Sequence, residues 1–134
     1  MKTISFIIPV YNCKYYLPDC VASIRAAGVR DYEILLIDDG STDGSAGVCD
    51  ELAERFPEIR VIHQVNAGVS AARNTGLENM SGDYFLFVDS DDELKENAIE
   101  LLLNDIHLYK ANMSSAVKTL VRDDGTCSCI YEDH

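Results

Sequence analysis

Apolar runs of strand length alternate along this chain with segments in which apolar residues recur every three or four positions. Ile4 to Val10 is almost continuously apolar, as expected of a strand covered on both faces, and Pro9 and Asn12 punctuate its end. Leu17, Cys20, Val21 and Ile24 then fall at helical spacing, with Pro18 and Asp19 suited to a first turn and Gly28 closing the segment. Glu33 to Ile37 predicts a second strand, which runs into the turn-forming residues Asp38 to Asp43. Val48, Cys49, Leu52 and Phe56 predict a second helix that Pro57 stops, and Arg60 to His63 a short third strand. Beyond Gly68, the residues Val69, Ala72, Gly76, Leu77 and Met80 make one apolar helical face, and Tyr84 to Val88 is a fourth buried run ending at Asp89. A longer helix is expected from about Glu96 to Lys110. Ser115 to Val121 and Cys127 to Tyr131 then flank a turn at Asp123 to Thr126, as a hairpin or two edge strands.

Strands that alternate with helices through short connections predict an α/β fold of three layers, α/β/α, around a mostly parallel Rossmann-like sheet. Ligands of such sheets bind at the carboxyl ends of the strands. A length of 134 residues suits one core, and no repeat, linker or shift in composition marks a boundary, so residues 1–134 are expected to form a single domain. With 47% hydrophobic and 25% charged residues the composition is that of a globular protein, which excludes the disordered and fibrous classes.

The charge changes the picture more. Twenty-three acidic against eleven basic residues leave a formal net charge of -12, which repels nucleic acid and anionic bilayers. A ligand that is itself an anion would call for a divalent cation. Residues 1–3 lead directly into an apolar run that ends at Pro9, too short for a signal-peptide core with its cleavage site or for a membrane span, so a cytoplasmic protein is expected. Five cysteines are an odd number, and Cys13, Cys20 and Cys49 sit in or beside apolar helical patterns, so no disulfide framework is implied. Cys127 and Cys129 lack a second Cys/His pair to complete a zinc tetrahedron.

Polar residues concentrate at one edge of the predicted sheet: Tyr11 and Asn12 after the first strand, Asp38 and Asp39 after the second, Asp89, Ser90 and Asp91 after the fourth. Core packing does not require this coincidence, whereas a ligand site does. The run Asp89-Ser90-Asp91-Asp92-Glu93 is a dense like-charge cluster that a hard divalent cation would relieve; the same acids could instead complement the dipole at a helix start, at roughly 0.3–1 kcal/mol each. Asp38 and Asp39 could accept from a nucleobase or ribose, or could form an Asx turn, with Thr42 or Asp43 capping the next helix. Tyr11 could stack on a base or belong to the core. Gly68 to Gly76 opens the third helix with small residues that admit a phosphate or a close-packed strand, and Arg73 brings a positive charge that either meets a diphosphate or lies at the surface. His63 and His107 have no metal-like spacing and read as structural.

In order, Ile7-Ile8-Pro9-Val10-Tyr11-Asn12, Ile37-Asp38-Asp39-Gly40-Ser41-Thr42-Asp43, Asn66-Ala67-Gly68 with Ala72 to Gly76, and Val88-Asp89-Ser90-Asp91-Asp92 resemble glycosyltransferase family two, inverting nucleotide-sugar-dependent enzymes of GT-A fold. The resemblance covers about residues 3–110. It implies that Pro9, Val10 and Tyr11 line a base pocket, that Asp39 accepts from the base of a nucleoside diphosphate, often uridine, and that Asp38 assists or holds the turn. Asp89 and Asp91 would be the family's DxD pair, with Ser90 between them. Asp89 would face ribose or sugar, Asp91 would hold Mn²⁺ or Mg²⁺ against the diphosphate, and Arg73 would contact the donor. The implied acceptor is a saccharide or lipid-linked hydroxyl, the full-length protein could work at the cytoplasmic face of a membrane, and the general base is expected beyond residue 134. Two rival readings are a phosphoacceptor receiver domain, which wants an acid pair where Tyr11-Asn12 stands, and a nucleotidyltransferase, which wants a Gly-rich basic loop after the first strand.

Overall fold

In the computed structural model, residues 3–95, 98–100, 102, 118–121 and 127–130 are described. Strands β1 (Ile4–Val10), β2 (Tyr32–Asp39), β3 (Ile59–Gln64) and β4 (Tyr84–Phe87) alternate with helices α1 (Leu17–Arg25), α2 (Ser45–Arg55) and α3 (Val69–Asn79). The strands form one parallel sheet in the order β3-β2-β1-β4. Each lies within a residue or two of the run that predicts it. The central strands β1 and β2 are buried on both faces and so apolar at odd and even positions alike, whereas the edge strands β3 and β4 are only partly buried, against the expectation of a fourth buried run, with Phe85 49% exposed.

The connections place the helices. From β1 to β2 to β3 the chain steps in one direction, and from β3 to β4 it crosses back over β2 and β1. With right-handed crossovers, α1 and α2 cover one face and α3 the other, which gives the three layers expected from the sequence. Alternation along the strands fits. Ile7, Leu35 and Ile37 pack with Ala72 of α3, while Phe6, Ile8, Val10, Ile34 and Leu36 are buried on the opposite face. The apolar stripe of α1 (Leu17, Cys20, Val21, Ile24) and Cys49 and Leu52 of α2 are buried as well. Gly76 owes its place to packing: a Cβ there would collide with the Ile7 side chain, so α3 lies against β1 only with glycine at that position.

The order of strands reverses between β1 and β4, and there the carboxyl ends of neighbouring strands diverge into the crevice where open α/β sheets bind ligands. The opposite end of the sheet is closed by a buried carboxylate. Glu33 accepts hydrogen bonds from the Ser5 hydroxyl (2.8 Å), the Ser81 N–H (2.7 Å) and the Ser81 hydroxyl (2.7 Å), and Arg60 lies 3.3 Å away.

Contacts divide the chain at residue 95 into two units. In the second, residues 98–100 are helical and β5 (Lys118–Val121) pairs antiparallel with β6 (Cys127–Ile130), as expected of a hairpin. Its turn at Asp123 to Thr126 and most of the expected helix from Glu96 to Lys110 lie outside the described residues.

Candidate functional site

At the crevice between β1 and β4 the first unit carries an open cleft of about 530 Å³, within the range of small-molecule sites. Three connections supply its walls. After β1 come Pro9, Val10, Tyr11, Asn12, Cys13 and Tyr16; from β2 and the segment leading into α3 come Asp39, Asn66, Gly68, Val69 and Ala72; after β4 come Asp89, Ser90 and Asp91. Seven of the nine residues that the resemblance assigns to donor or metal therefore meet in one cavity: Pro9, Val10, Tyr11, Asp39, Asp89, Ser90 and Asp91. Tyr11 is half exposed (53%), which leaves ring surface open to a ligand.

Asp39 ends β2 with its carboxylate buried yet bordering the cleft. Its Oδ1 accepts from Gln64 Nε2 and the Ala67 N–H, both 2.9 Å, and its Oδ2 from the Gly68 N–H (3.0 Å) and, more weakly, Asn66 Nδ2 (3.4 Å). Four donors fill the acceptor positions of one carboxylate, so Asp39 fixes the loop that enters α3. The preceding turn is equally constrained. Gly40 has φ 72°, and a Cβ there would lie 2.8 Å from the Asn66 backbone nitrogen.

Asp38 and Arg73 are not brought into the cleft lining. Alternation turns Asp38 to the other face of β2, where Oδ1 accepts from the Ser41 N–H (3.1 Å) and Oδ2 meets His63 Nδ1 (2.7 Å). Burial pushes the Asp38 carboxyl up, but the hydrogen bonds from His63 and Ser41 outweigh it and hold the group below the usual aspartate range. His63 also meets Asp50 (2.8 Å), and the bonds to Asp38 and Asp50 raise its imidazole above the ordinary value. Of the two parts implied for Asp38, the structure shows it holding the turn. Arg73 reaches the site from outside: Nη2 is 3.5 Å from Asp89 Oδ1, and the guanidinium lies over the Phe87 ring at 5.4 Å. The cap of α2 also differs from expectation, since Gly44 takes that position with φ 98° and Asp43, one residue outside, accepts from the Ser45 N–H (2.9 Å).

Carboxylate oxygens of Asp89, Asp91 and Asp92 lie within 4.8 Å of one another. Two oxygens bound to the same octahedral Mg²⁺ at about 2.1 Å are at most about 4.2 Å apart, so a small side-chain adjustment would let this hard-oxygen set hold such a cation. Asp92 joins a pair read from the sequence as Asp89 and Asp91, because the turn after β4, closed by Asp92 N–H donating to the Asp89 carbonyl (2.9 Å), folds it back. Cys20 Sγ also donates to that carbonyl (3.5 Å), and burial, then the nearby Asp92, pushes its thiol up to about 12. Cys13 and Tyr16 were not anticipated as cleft residues. The signal that could have found them is their position in the connection that follows Tyr11 and Asn12.

This cleft, with acidic residues on one wall at the switch point of a parallel sheet, has the placement of the ligand sites of open α/β folds. Residues 5–125 match the family model for glycosyl transferase family 2, and the chain belongs to that family. It is 47% identical over 111 residues to glycosyltransferase GlyA of Streptococcus pneumoniae serotype 4, an alignment covering 83% of this chain and 16% of GlyA. Among solved structures, S. aureus TarS residues 1–349 in complex with UDP superposes with a TM-score of 0.72 at 22% identity, over 92% of this chain and 40% of that one. A mannosyltransferase from Pyrobaculum calidifontis in complex with GDP-Man and Mn²⁺ gives 0.67 at 22% identity, over 72% and 30%. These likenesses show the GT-A type of α/β fold. The chain spans about a sixth of the length of GlyA. No helix among the described residues is long and apolar enough to cross a membrane.

Proposed function

We propose that this chain is the donor-binding portion of a glycosyltransferase that transfers a sugar from a nucleoside diphosphate, uridine-linked by preference, to a hydroxyl acceptor with inversion. Residues 1–134 are assigned to one nucleotide-sugar-binding domain acting on the cytoplasmic side, with a saccharide or lipid-linked acceptor. The observation that carries the reading is the meeting of Tyr11, Asp39 and the Asp89-Ser90-Asp91 turn around one cleft. The uridine preference is supported by TarS in complex with UDP.

Within this reading Tyr11 stacks on the base, a contact of about 1–3 kcal/mol. Asp39 accepts from a base N–H by displacing its weakest donor, Asn66 Nδ2 at 3.4 Å, which keeps its bond to the Asp39 carbonyl (3.0 Å). Asp89 faces the ribose or sugar, steadied by Arg73. Asp91, with Asp89 and Asp92, would hold Mn²⁺ or Mg²⁺, and such an ion supplies the charge that a departing diphosphate requires. Inversion also needs a base within about 2.6–3.2 Å of the acceptor hydroxyl; that role is assigned to further chain of the kind the longer relatives carry. Differential scanning calorimetry of the chain with UDP and Mn²⁺ tests donor binding. Ligand at about 100 times its dissociation constant should stabilise the fold by roughly 2.7 kcal/mol, and no stabilisation by any nucleoside diphosphate would overturn the reading.

A further inference from the structure

Asn12 is the one residue other than glycine with a left-handed backbone among the described residues (φ 49°), and it lies in the cleft wall directly after Tyr11. Asn adopts this region more readily than most side chains because its short amide can bond locally. Here the amide bonds across to the connection after β2 instead. Asn12 Oδ1 accepts from the Thr42 N–H at 2.8 Å, the Asn12 N–H donates to Ser41 Oγ at 3.2 Å, and Asn12 Nδ2 lies 3.4 Å from Thr42 Oγ1. The next residue continues the join, Cys13 N–H donating to the buried Ser45 Oγ at 3.0 Å. Asp39, at the head of the same β2 connection, holds Ala67 and Gly68 on its far side. The wall after β1 and the wall that leads into α3 are thus tied through the connection after β2, and Asn12 makes the tie on the side that presents Tyr11.

We propose that Asn12 is a positioning residue of the nucleotide pocket: its left-handed turn and its bonds to Ser41 and Thr42 aim the Tyr11 ring into the cleft and fix it against the β2 connection. The inference rests on the nucleotide-binding reading given above. It makes Asn12 act through Tyr11, without requiring it to touch the ligand.

A double-mutant cycle with Tyr11 tests this on the full chain, reading UDP affinity in Mn²⁺ by isothermal titration calorimetry and Thr42 amide exchange by NMR. Asn12→Gly keeps the backbone conformation and removes only the side-chain bonds. It should speed Thr42 exchange and weaken UDP about tenfold, the scale of one or two lost hydrogen bonds. Ser41→Ala, outside the cleft lining, should weaken UDP about threefold by removing one bond from the other side. In a Tyr11→Ala background, Asn12→Gly should cost less than twofold, because the ring it aims is gone. Wild type that binds UDP while Asn12→Gly matches it in affinity and exchange would overturn the positioning role. Equal losses with and without Tyr11 would overturn it too. Wild type that binds no nucleoside diphosphate would overturn the nucleotide reading and this inference with it.

Discussion

Glu33 and Asp39 stand six residues apart on β2, so the two-residue repeat of a strand puts them on the same face at opposite ends of the sheet. Both carboxylates are buried and both accept hydrogen bonds from a connection that enters from elsewhere in the chain. At the amino end the donors are Ser5, Ser81 and Arg60, and the group closes the sheet. At the carboxyl end the donors are the backbone of Ala67 and Gly68 and the side chain of Gln64, and what they hold open is one wall of a cleft. The same physical device, a buried carboxylate satisfied by several donors, stabilises a fold at one end and shapes a site at the other. Topology makes the difference, because the crossover direction reverses between β1 and β4 and leaves a crevice only at the carboxyl edge.

Substitution of each carboxylate separates the two roles. Glu33→Ala leaves the Ser81 N–H and two hydroxyls without their acceptor, and urea denaturation should show a loss of about 3 kcal/mol with UDP affinity within twofold of wild type. Asp39→Ala should cost about 2 kcal/mol of stability through the freed loop and also weaken UDP more than tenfold; an unchanged affinity would place Asp39 with Glu33 as a purely structural group.

The smallest effect concerns pH. His63, raised by Asp38 and Asp50, contributes stability that is complete below the unfolded imidazole value of about 6.5 and is lost as pH rises through its higher folded value. Asp38 and Glu33, both lowered, contribute stability above the ordinary carboxylate range that is lost on acidification through their depressed values. His63→Gln should therefore flatten the alkaline limb of the melting temperature profile and also reduce the Asp38 part of the acid limb, because the imidazolium helps hold that carboxyl down, while the Glu33 part stays in place. The imidazole is 44% exposed, so solvent screening keeps its effect small.

The cleft end was far more legible in the sequence than the closed end. Asp39, Asp89 and Asp91 directly follow apolar strands, and a parallel sheet puts all such positions at one edge, so local pattern and topology suffice to collect them. The partners of Glu33 are 28 and 48 residues away and of a common type, with no local signal to mark them. Asp38 was harder to place than Asp39 because the side on which a strand's last residue emerges depends on the register of the whole sheet. Gly68 to Gly76 offered either a phosphate approach or close packing; the collision of a Cβ at Gly76 with Ile7 shows packing at that position, while Gly68 lines the cleft.

On the proposed function, the carboxyl-edge cleft binds a nucleoside diphosphate together with a divalent cation held by the Asp89-Ser90-Asp91 turn. Titration calorimetry of UDP with and without Mn²⁺, on wild type and Asp91→Asn, tests it most directly. Mn²⁺ should tighten UDP at least tenfold in the wild type and less than twofold in Asp91→Asn, whose exposed side chain should leave the melting temperature unchanged. Equal Mn²⁺ enhancement in both proteins, or none in the wild type, would contradict it.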